Sequence, residues 1–96
     1  MFKRMLYMVI ERFKEPGAVS VYRRARDKGR MLPAGLEYIS SLVNLDFTIC
    51  FQLMETRDAR LFDAWIARWS DLVDFEIVPV LSSAEASQAI VPSLEA

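Results

Sequence analysis

The order of strand-like and helix-like segments is the feature that most limits how this chain can fold. Four segments rich in β-branched and aromatic residues predict strands, at residues 4–13, 36–43, 47–56 and 72–81. Two segments with apolar residues at helical spacing predict helices, at residues 18–31 and around residues 61–69. The chain has 96 residues, which is room for a single domain. The predicted order is therefore βαββαβ in one domain.

Turn and cap residues separate these segments. Pro16-Gly17 follows the first strand, Pro33 is expected to end the first helix, and residues 44–46 predict a tight turn between strands two and three. Thr56 or Asp58 is expected to cap the second helix. We place the domain at residues 1–82 and a tail at residues 83–96, where Ser82 or Ser83 could cap a short helix.

A βαββαβ order is typical of the α+β ferredoxin-like arrangement. It predicts a four-stranded antiparallel sheet in the order 4-1-3-2, with both helices on one face. In this prediction, strands one and three lie side by side and run parallel, because the crossovers are right-handed. Pro79 lacks a backbone donor, which suits the edge position of strand four.

The strands are apolar on both faces. An antiparallel sheet with one wet face should alternate between apolar and polar residues. Strand one does not alternate, because its two series are Leu6, Met8, Ile10 and Met5, Tyr7, Val9. We therefore expect a second copy to cover the free face, which gives a homodimer of the dimeric α/β-barrel kind with a cavity between the two sheets.

The absence of histidine from the sequence excludes several chemistries. Ser-His-Asp and Cys-His nucleophiles, histidine-ligated haem and the common catalytic zinc sites all need it. The glycines are scattered at positions 17, 29 and 35, so there is no glycine-rich phosphate loop. We expect no cofactor and no metal. The apolar stretch 5–10 is too short for a membrane span, and the lone Cys50 cannot form an internal disulfide, so a cytoplasmic location is expected.

Charge is unevenly distributed along the chain. Residues 1–30 carry nine Lys or Arg and three acidic residues, whereas residues 31–96 carry three and ten. A polyanion partner, or pairing between two copies, would explain this asymmetry. A basic helix balanced by acidic surfaces elsewhere explains it more simply. Strand three also lacks the basic Gly-Phe-rich motif of RNA-recognition domains, so no nucleic-acid partner is expected.

Four stretches of the chain resemble a known family. They are MVIERF (8–13), VYRRARDKGRMLPAGLEY (21–38), CFQLME (50–55) and WSDLVDFEIVPVLSSAEA (69–86). Together they resemble domain of unknown function 3303, a family of short bacterial proteins, over about the first 86 residues. The resemblance implies a dimeric α/β barrel. Members of that superfamily include cofactor-free monooxygenases, lactone isomerases, polyketide cyclases and haem enzymes, so the fold alone does not select a reaction.

The expected cavity between the sheets would hold the candidate site. If Leu6, Met8 and Ile10 face the helices, the opposite series lines the cavity with Tyr7, Val9, Glu11, Cys50, Gln52, Met54, Glu76 and Val78. Glu11, Gln52 and Glu76 then share one end of the sheet. Glu11 and Glu76 are the catalytic candidates, because two close carboxylates can act as acid and base. Alternatively, they are rim charges paired with Arg12 or Arg57.

The candidate substrate-binding residues are Tyr7, Tyr38, Cys50, Gln52 and Met54. A tyrosine hydroxyl could bind a substrate oxygen, although tyrosine in a half-buried strand more often serves packing. Cys50 has no evident activating neighbour and is expected to be an inert thiol. Trp65 and Trp69 fall on the apolar stripe of the second helix and are expected in the core.

Two functions remain open from the sequence. One is the binding or conversion of a small apolar, oxygen-bearing metabolite in the cavity, without metal or histidine. The other is a structural or regulatory dimerisation module with a filled interior. The two hypotheses differ in whether side chains fill the cavity.

Overall fold

The computed structural model describes residues 3–95, which form one sheet and three helices. The strands are β1 (Met5–Phe13), β2 (Leu36–Val43), β3 (Ile49–Thr56) and β4 (Val73–Val80). The helices are α1 (Ala18–Lys28), α2 (Leu61–Ala67) and α3 (Ser83–Leu94). The first six elements follow the order βαββαβ, and the fold is α+β of the ferredoxin-like type.

The four strands lie in the order β2-β3-β1-β4, which reads 4-1-3-2 from the other edge. Every neighbouring pair is antiparallel. The expectation that strands one and three run parallel is wrong, since Ile10 pairs with Phe51 and Met8 with Leu53 in antiparallel register. The reason is that α1 carries β2 back parallel to β1, and the tight hairpin then reverses β3. Pro79 lies on β4, an edge strand.

α1 is shorter than the apolar spacing suggested. The predicted helix extended to Met31, but α1 ends at Lys28. Gly29 follows with φ 67° and ψ −161°, and its backbone N–H donates to the Ala25 carbonyl at 2.8 Å. Glycine accepts such a backbone without steric cost, so the helix ends at Gly29, before Pro33 is reached.

β3 also starts later than predicted, at Ile49 instead of residue 47. The β2–β3 turn is held by Asn44, whose Oδ1 accepts the backbone N–H groups of Thr48 and Ile49, both at 2.9 Å. Phe47 takes a positive φ of 59° in this turn. The side chain of Asn44 thus occupies donors that a longer strand would have paired.

The hydrophobic core lies between the sheet and helices α1 and α2. Its buried members are Tyr7, Val9, Val21, Leu36, Met54, Phe62, Trp65, Trp69 and Val73. The prediction that both tryptophans belong to the core is confirmed. Their indole Nε1 atoms also donate to one acceptor, the backbone carbonyl of Arg30, at 3.0 Å from Trp65 and 2.9 Å from Trp69. The core therefore fixes the segment that follows α1.

Helices α1 and α2 both pack on one side of the sheet, and neither of them covers the opposite side. We call it the open face; its apolar members are Leu6, Met8, Ile10, Leu42, Phe51, Leu53, Val78 and Val80. The candidate site was built on the premise that Leu6, Met8 and Ile10 face the helices, and that premise is wrong, because Tyr7 and Val9 lie in the core instead. Both series of β1 are apolar, so periodicity alone could not decide which of them faces the helices.

The basic N-terminal region forms ion pairs with acidic residues from the rest of the chain. Arg24 makes a two-pronged contact with Asp71, at 2.6 and 2.8 Å. Arg4 reaches Glu37 at 2.9 Å and Glu55 at 3.1 Å. At these positions, acidic residues of the same chain neutralise the basic residues of the N-terminal region.

Residues after β4 form α3. Ser82 and Glu85 make a reciprocal capping box at its start, with the Glu85 N–H donating to Ser82 Oγ at 3.1 Å. None of the residues of α3 is buried. Within residues 3–95, no helix is long and apolar enough to cross a membrane.

Candidate functional site

A pocket of about 210 Å³ lies between α1, the loop after it and the helix side of the sheet. Aromatic and small residues form most of its wall: Phe13, Val21, Tyr22, Ala25, Gly29, Val43, Trp65 and Trp69. Its polar lining is Glu11, Arg30, Ser41, Cys50 and Gln52. The space exists because Ala25 and Gly29 are small, while Trp65 and Trp69 hold the segment after α1 in place by binding the Arg30 carbonyl. Pockets that combine apolar walls with a few polar groups are typical of small-molecule sites.

The polar residues of the pocket form a chain of hydrogen bonds. Gln52 donates its Nε2 to Glu11 Oε2, and its Oε1 accepts from Arg30 Nε at 3.3 Å. The guanidinium carbon of Arg30 lies over the Tyr38 ring, 3.5 Å from its centre, which is a cation–π contact. The two ends of the chain are therefore a buried carboxyl group and an exposed cation, with one amide between them.

Glu11 is a buried carboxyl group with one free oxygen. The side chain is 6% exposed, and its Oε2 accepts the bond from Gln52. No hydrogen bond from residues 3–95 reaches Oε1. In that part of the chain, every fully buried side-chain oxygen has a hydrogen-bond partner, so Oε1 is not fully buried. Oε1 is therefore accessible from the pocket. Burial raises the pKa of Glu11 from 4.5 to about 7, although the Gln52 hydrogen bond and the Arg30 charge oppose the shift.

Cys50 lies beside Glu11 on the same side of the sheet. Burial, and then the Glu11 charge, raise the pKa of its thiol to about 11, although Arg30 opposes the shift. The thiol therefore stays protonated near neutral pH, in line with the expectation of an inert cysteine. The pKa of Tyr22, on α1, is also raised, mainly by burial.

The structure separates the two carboxylates that the sequence placed together. Glu11 pairs with Phe75 across the sheet, and Glu76 pairs with the neighbouring Ile10, so the two glutamates point to opposite faces. Glu76 is exposed and forms an ion pair with Arg12 at 3.0 Å, which is the alternative that the sequence left open for it. The expectation of an acid–base pair of Glu11 and Glu76 is wrong.

The candidate binding residues also divide. Cys50 and Gln52 line the pocket. Tyr7 and Met54 lie on the helix side but belong to the core, where Tyr7 packs edge-on against Phe62 with ring centres 5.1 Å apart. Tyr38 lies under Arg30 and bonds Ser41 Oγ at 2.7 Å. The expectation that Tyr7, Cys50, Gln52 and Met54 line a space between two sheets is wrong, because these residues face the helices.

Comparison with known proteins identifies the family. The model of a family described as domain of unknown function (DUF3303) matches residues 5–94. The chain belongs to this family. The match extends through α3, beyond the stretches in which the sequence alone resembled DUF3303. No curated protein and no solved structure matches the chain significantly.

Arg30 of this DUF3303 chain is a site residue that the sequence did not indicate. It was assigned to the basic run of the first helix, whereas it lies beyond Gly29 and turns back over the sheet. Two signals could have found it. Gly29 is a plausible helix end, and Ala25 and Gly29 place two small residues one turn apart, opposite the tryptophans. Both signals concern the end of α1.

The DUF3303 chain also contains no group of three or more Cys, Asp or Glu side chains within residues 3–95 that could hold a metal ion. The polar side chains that line the pocket offer one carboxyl group, one guanidinium, an amide, a thiol and hydroxyl groups.

Proposed function

We propose that this chain binds a small, largely apolar, oxygen-bearing molecule in the pocket between α1 and the sheet. The observation that carries the proposal is Glu11, whose carboxyl group is buried at the wall of an open pocket with Oε1 free. Burying a carboxyl group without a structural partner for each oxygen costs free energy. A ligand atom that bonds to Oε1 would offset part of that cost.

The volume and the lining restrict the ligand class. A pocket of about 210 Å³ is below the usual range for drug-sized ligands and suits a molecule with a single ring. Phe13, Tyr22, Trp65 and Trp69 offer ring faces and edges, and Arg30 offers donors to an oxygen. These features support an aromatic or alicyclic ring with a carbonyl, hydroxyl or carboxylate group.

The test is a binding screen with single-ring phenols, aromatic carboxylates and cyclic ketones. Trp65 and Trp69 line the pocket, so tryptophan fluorescence should change saturably on binding, and ligand-observed NMR should detect the same compounds. Ala25→Leu, which places methyl groups in the pocket, should weaken binding by at least about tenfold, or roughly 1.4 kcal/mol. If no compound binds, or if Ala25→Leu leaves the affinity unchanged, the proposal fails.

Ala64→Leu is the matched control. Ala64 is an exposed residue of α2 that does not line the pocket, so the same addition of volume should leave binding unchanged. Circular dichroism of both variants checks that the fold is kept.

We also propose that the chain is a homodimer joined through the open face, and that it acts in the cytoplasm without a nucleic-acid partner. The open face supports the dimer because it is apolar and because helices α1 and α2 both pack on the other side of the sheet. The single free Cys50 supports a reducing compartment. A module that only dimerises would use the same open face but would give the pocket no ligand, so the binding screen separates the two functions.

A further inference from the structure

We propose that the pocket catalyses proton transfer at carbon, with Glu11 as the base and Arg30 holding the oxygen of the enolate. The substrates would be small cyclic ketones with an acidic C–H next to the carbonyl. This inference rests on the proposed function, because a substrate must first occupy the pocket.

The geometry places an acid–base group and an oxygen-binding group at a suitable separation. Gln52 bridges the two, with its amide nitrogen on Glu11 and its amide oxygen on Arg30. A planar H–C–C=O unit has about the same reach as that amide. A ketone lying along Gln52 can therefore present its C–H to Glu11 Oε1 and its oxygen to the guanidinium nitrogens of Arg30, of which only Nε bonds Gln52.

The step balances without any other reactant. Glu11 Oε1 takes the proton as the C–H bond breaks, and the electron pair of that bond forms a C=C bond. The carbonyl π pair moves onto oxygen, where the Arg30 charge stabilises it. Glu11 then returns the proton to the same carbon or to a conjugated one. Return to the same carbon regenerates the substrate, with exchange of its hydrogen in deuterated water, and return to a conjugated carbon gives an isomer, so nothing is oxidised or reduced in either case.

The surroundings of Glu11 leave it as the group that titrates near neutral pH in this pocket. Cys50 on β3 stays protonated, since burial raises the pKa of its thiol to about 11. On α1, burial raises the pKa of Tyr22, so its hydroxyl also stays protonated. Arg30 lies in the loop after α1, and the neighbours from β2 and β4, Ser41 and Phe75, carry no acidic or basic group. A general base works best when its pKa lies near the operating pH.

The experiment follows a β,γ-unsaturated six-membered cyclic ketone, whose conjugated isomer absorbs in the near ultraviolet. A set of saturated cyclic ketones in deuterated water serves as a second probe, with loss of the α-proton signal measured by NMR. The wild-type chain should accelerate both reactions over buffer. The isomerisation rate should rise with pH to a plateau, with a midpoint near the Glu11 pKa of about 7.

Three variants test the roles of the residues. Glu11→Gln should lower the rate by roughly 100-fold or more, the usual contribution of a general base. Arg30→Met should lower kcat/KM by about 100-fold through loss of the oxygen-binding charge, with the pH midpoint then moved upward because the cation no longer favours the Glu11 charge. Glu76→Gln, on the open face, should behave as wild type.

The experiment distinguishes a failure of ligand binding from a failure of proton transfer. If ketones change the tryptophan fluorescence but neither isomerise nor exchange deuterium, the proton-transfer proposal is overturned and the binding function stands. If no ketone in the set exchanges and none binds, this proposal is overturned, and the other compound classes of the screen decide the binding function. Activity retained in Glu11→Gln would also overturn it.

Discussion

At the scale of single residues, Glu11 should make the stability of the fold depend on pH. The pKa of its carboxyl group is about 7 in the folded chain and 4.5 as the reference value, so the folded state keeps a proton that the unfolded chain has lost between these values. The stabilisation is complete below pH 4.5 and is lost as the pH rises towards 7. The loss is about 3 kcal/mol in the free energy of unfolding. Denaturant unfolding at fixed protein concentration across this range should measure it.

Matched glutamine variants isolate this effect from other titrations. Glu11→Gln removes the titrating group and keeps an amide beside Gln52, so the difference between wild type and this variant should change across the same pH window. Glu76→Gln changes an exposed carboxylate paired with Arg12 and should keep the wild-type decline. Parallel pH profiles for wild type and Glu11→Gln would show that Glu11 keeps an ordinary pKa.

Two residues of the pocket, Gln52 and Cys50, were predictable as site residues, but their position was not. Gln52 and Cys50 were recognised as site candidates because polar residues interrupt an apolar strand. These two residues pair with Val9 and Glu11 of β1, so they lie beside α1 only if that series of β1 faces the helices. Both series of β1 are apolar, so the sequence pattern does not show which one does. The packing of Val9 and Met54 against the helices decides it, and such long-range contacts are absent from local periodicity.

At the scale of elements, the end of α1 determines where Arg30 lies. Gly29 has φ 67° and ψ −161°, a region open essentially to glycine. An added Cβ would meet nothing within 4 Å, so Gly29→Ala tests the backbone conformation without a steric clash. We expect a loss of about 1–3 kcal/mol in the free energy of unfolding. Thermal and denaturant unfolding measure it.

Lys28→Ala is the control for that variant. Lys28 is the last residue of α1, is exposed and has no special backbone, so its replacement should change stability by less than about 0.5 kcal/mol. Equal stabilities for the two variants would mean that the chain after α1 does not need the glycine conformation. The helix end also explains why the predicted helix extends too far, to Met31. The apolar stripe continues through Gly29, whereas the helical backbone conformation ends at Lys28.

At the scale of the whole molecule, the order of elements was predictable, and the direction of one strand pair was not. Apolar segments, Pro16-Gly17 and the turn after β2 suffice for βαββαβ. Strands β1 and β3 were expected to run parallel, but they are antiparallel. The direction of a strand does not change which of its residues lie on each face of the sheet. The strand pattern did predict an apolar face that needs a cover. On β1 and β3, however, the residues expected on that face lie on the helix side, and those expected on the helix side lie on the open face.

The open face should join two copies of the chain. Phe51 is 36% exposed there, and a charge at this position would be buried unpaired in a dimer but solvated in a monomer. We expect a dimer of the wild-type chain at micromolar concentration by light scattering, and a folded monomer for Phe51→Asp. Val78→Asp, at a less exposed position, should dissociate or unfold the protein. Leu45→Asp is the control, since Leu45 is 99% exposed in the β2–β3 turn and should leave the dimer intact. A wild-type monomer, or a Phe51→Asp dimer, would contradict this interface.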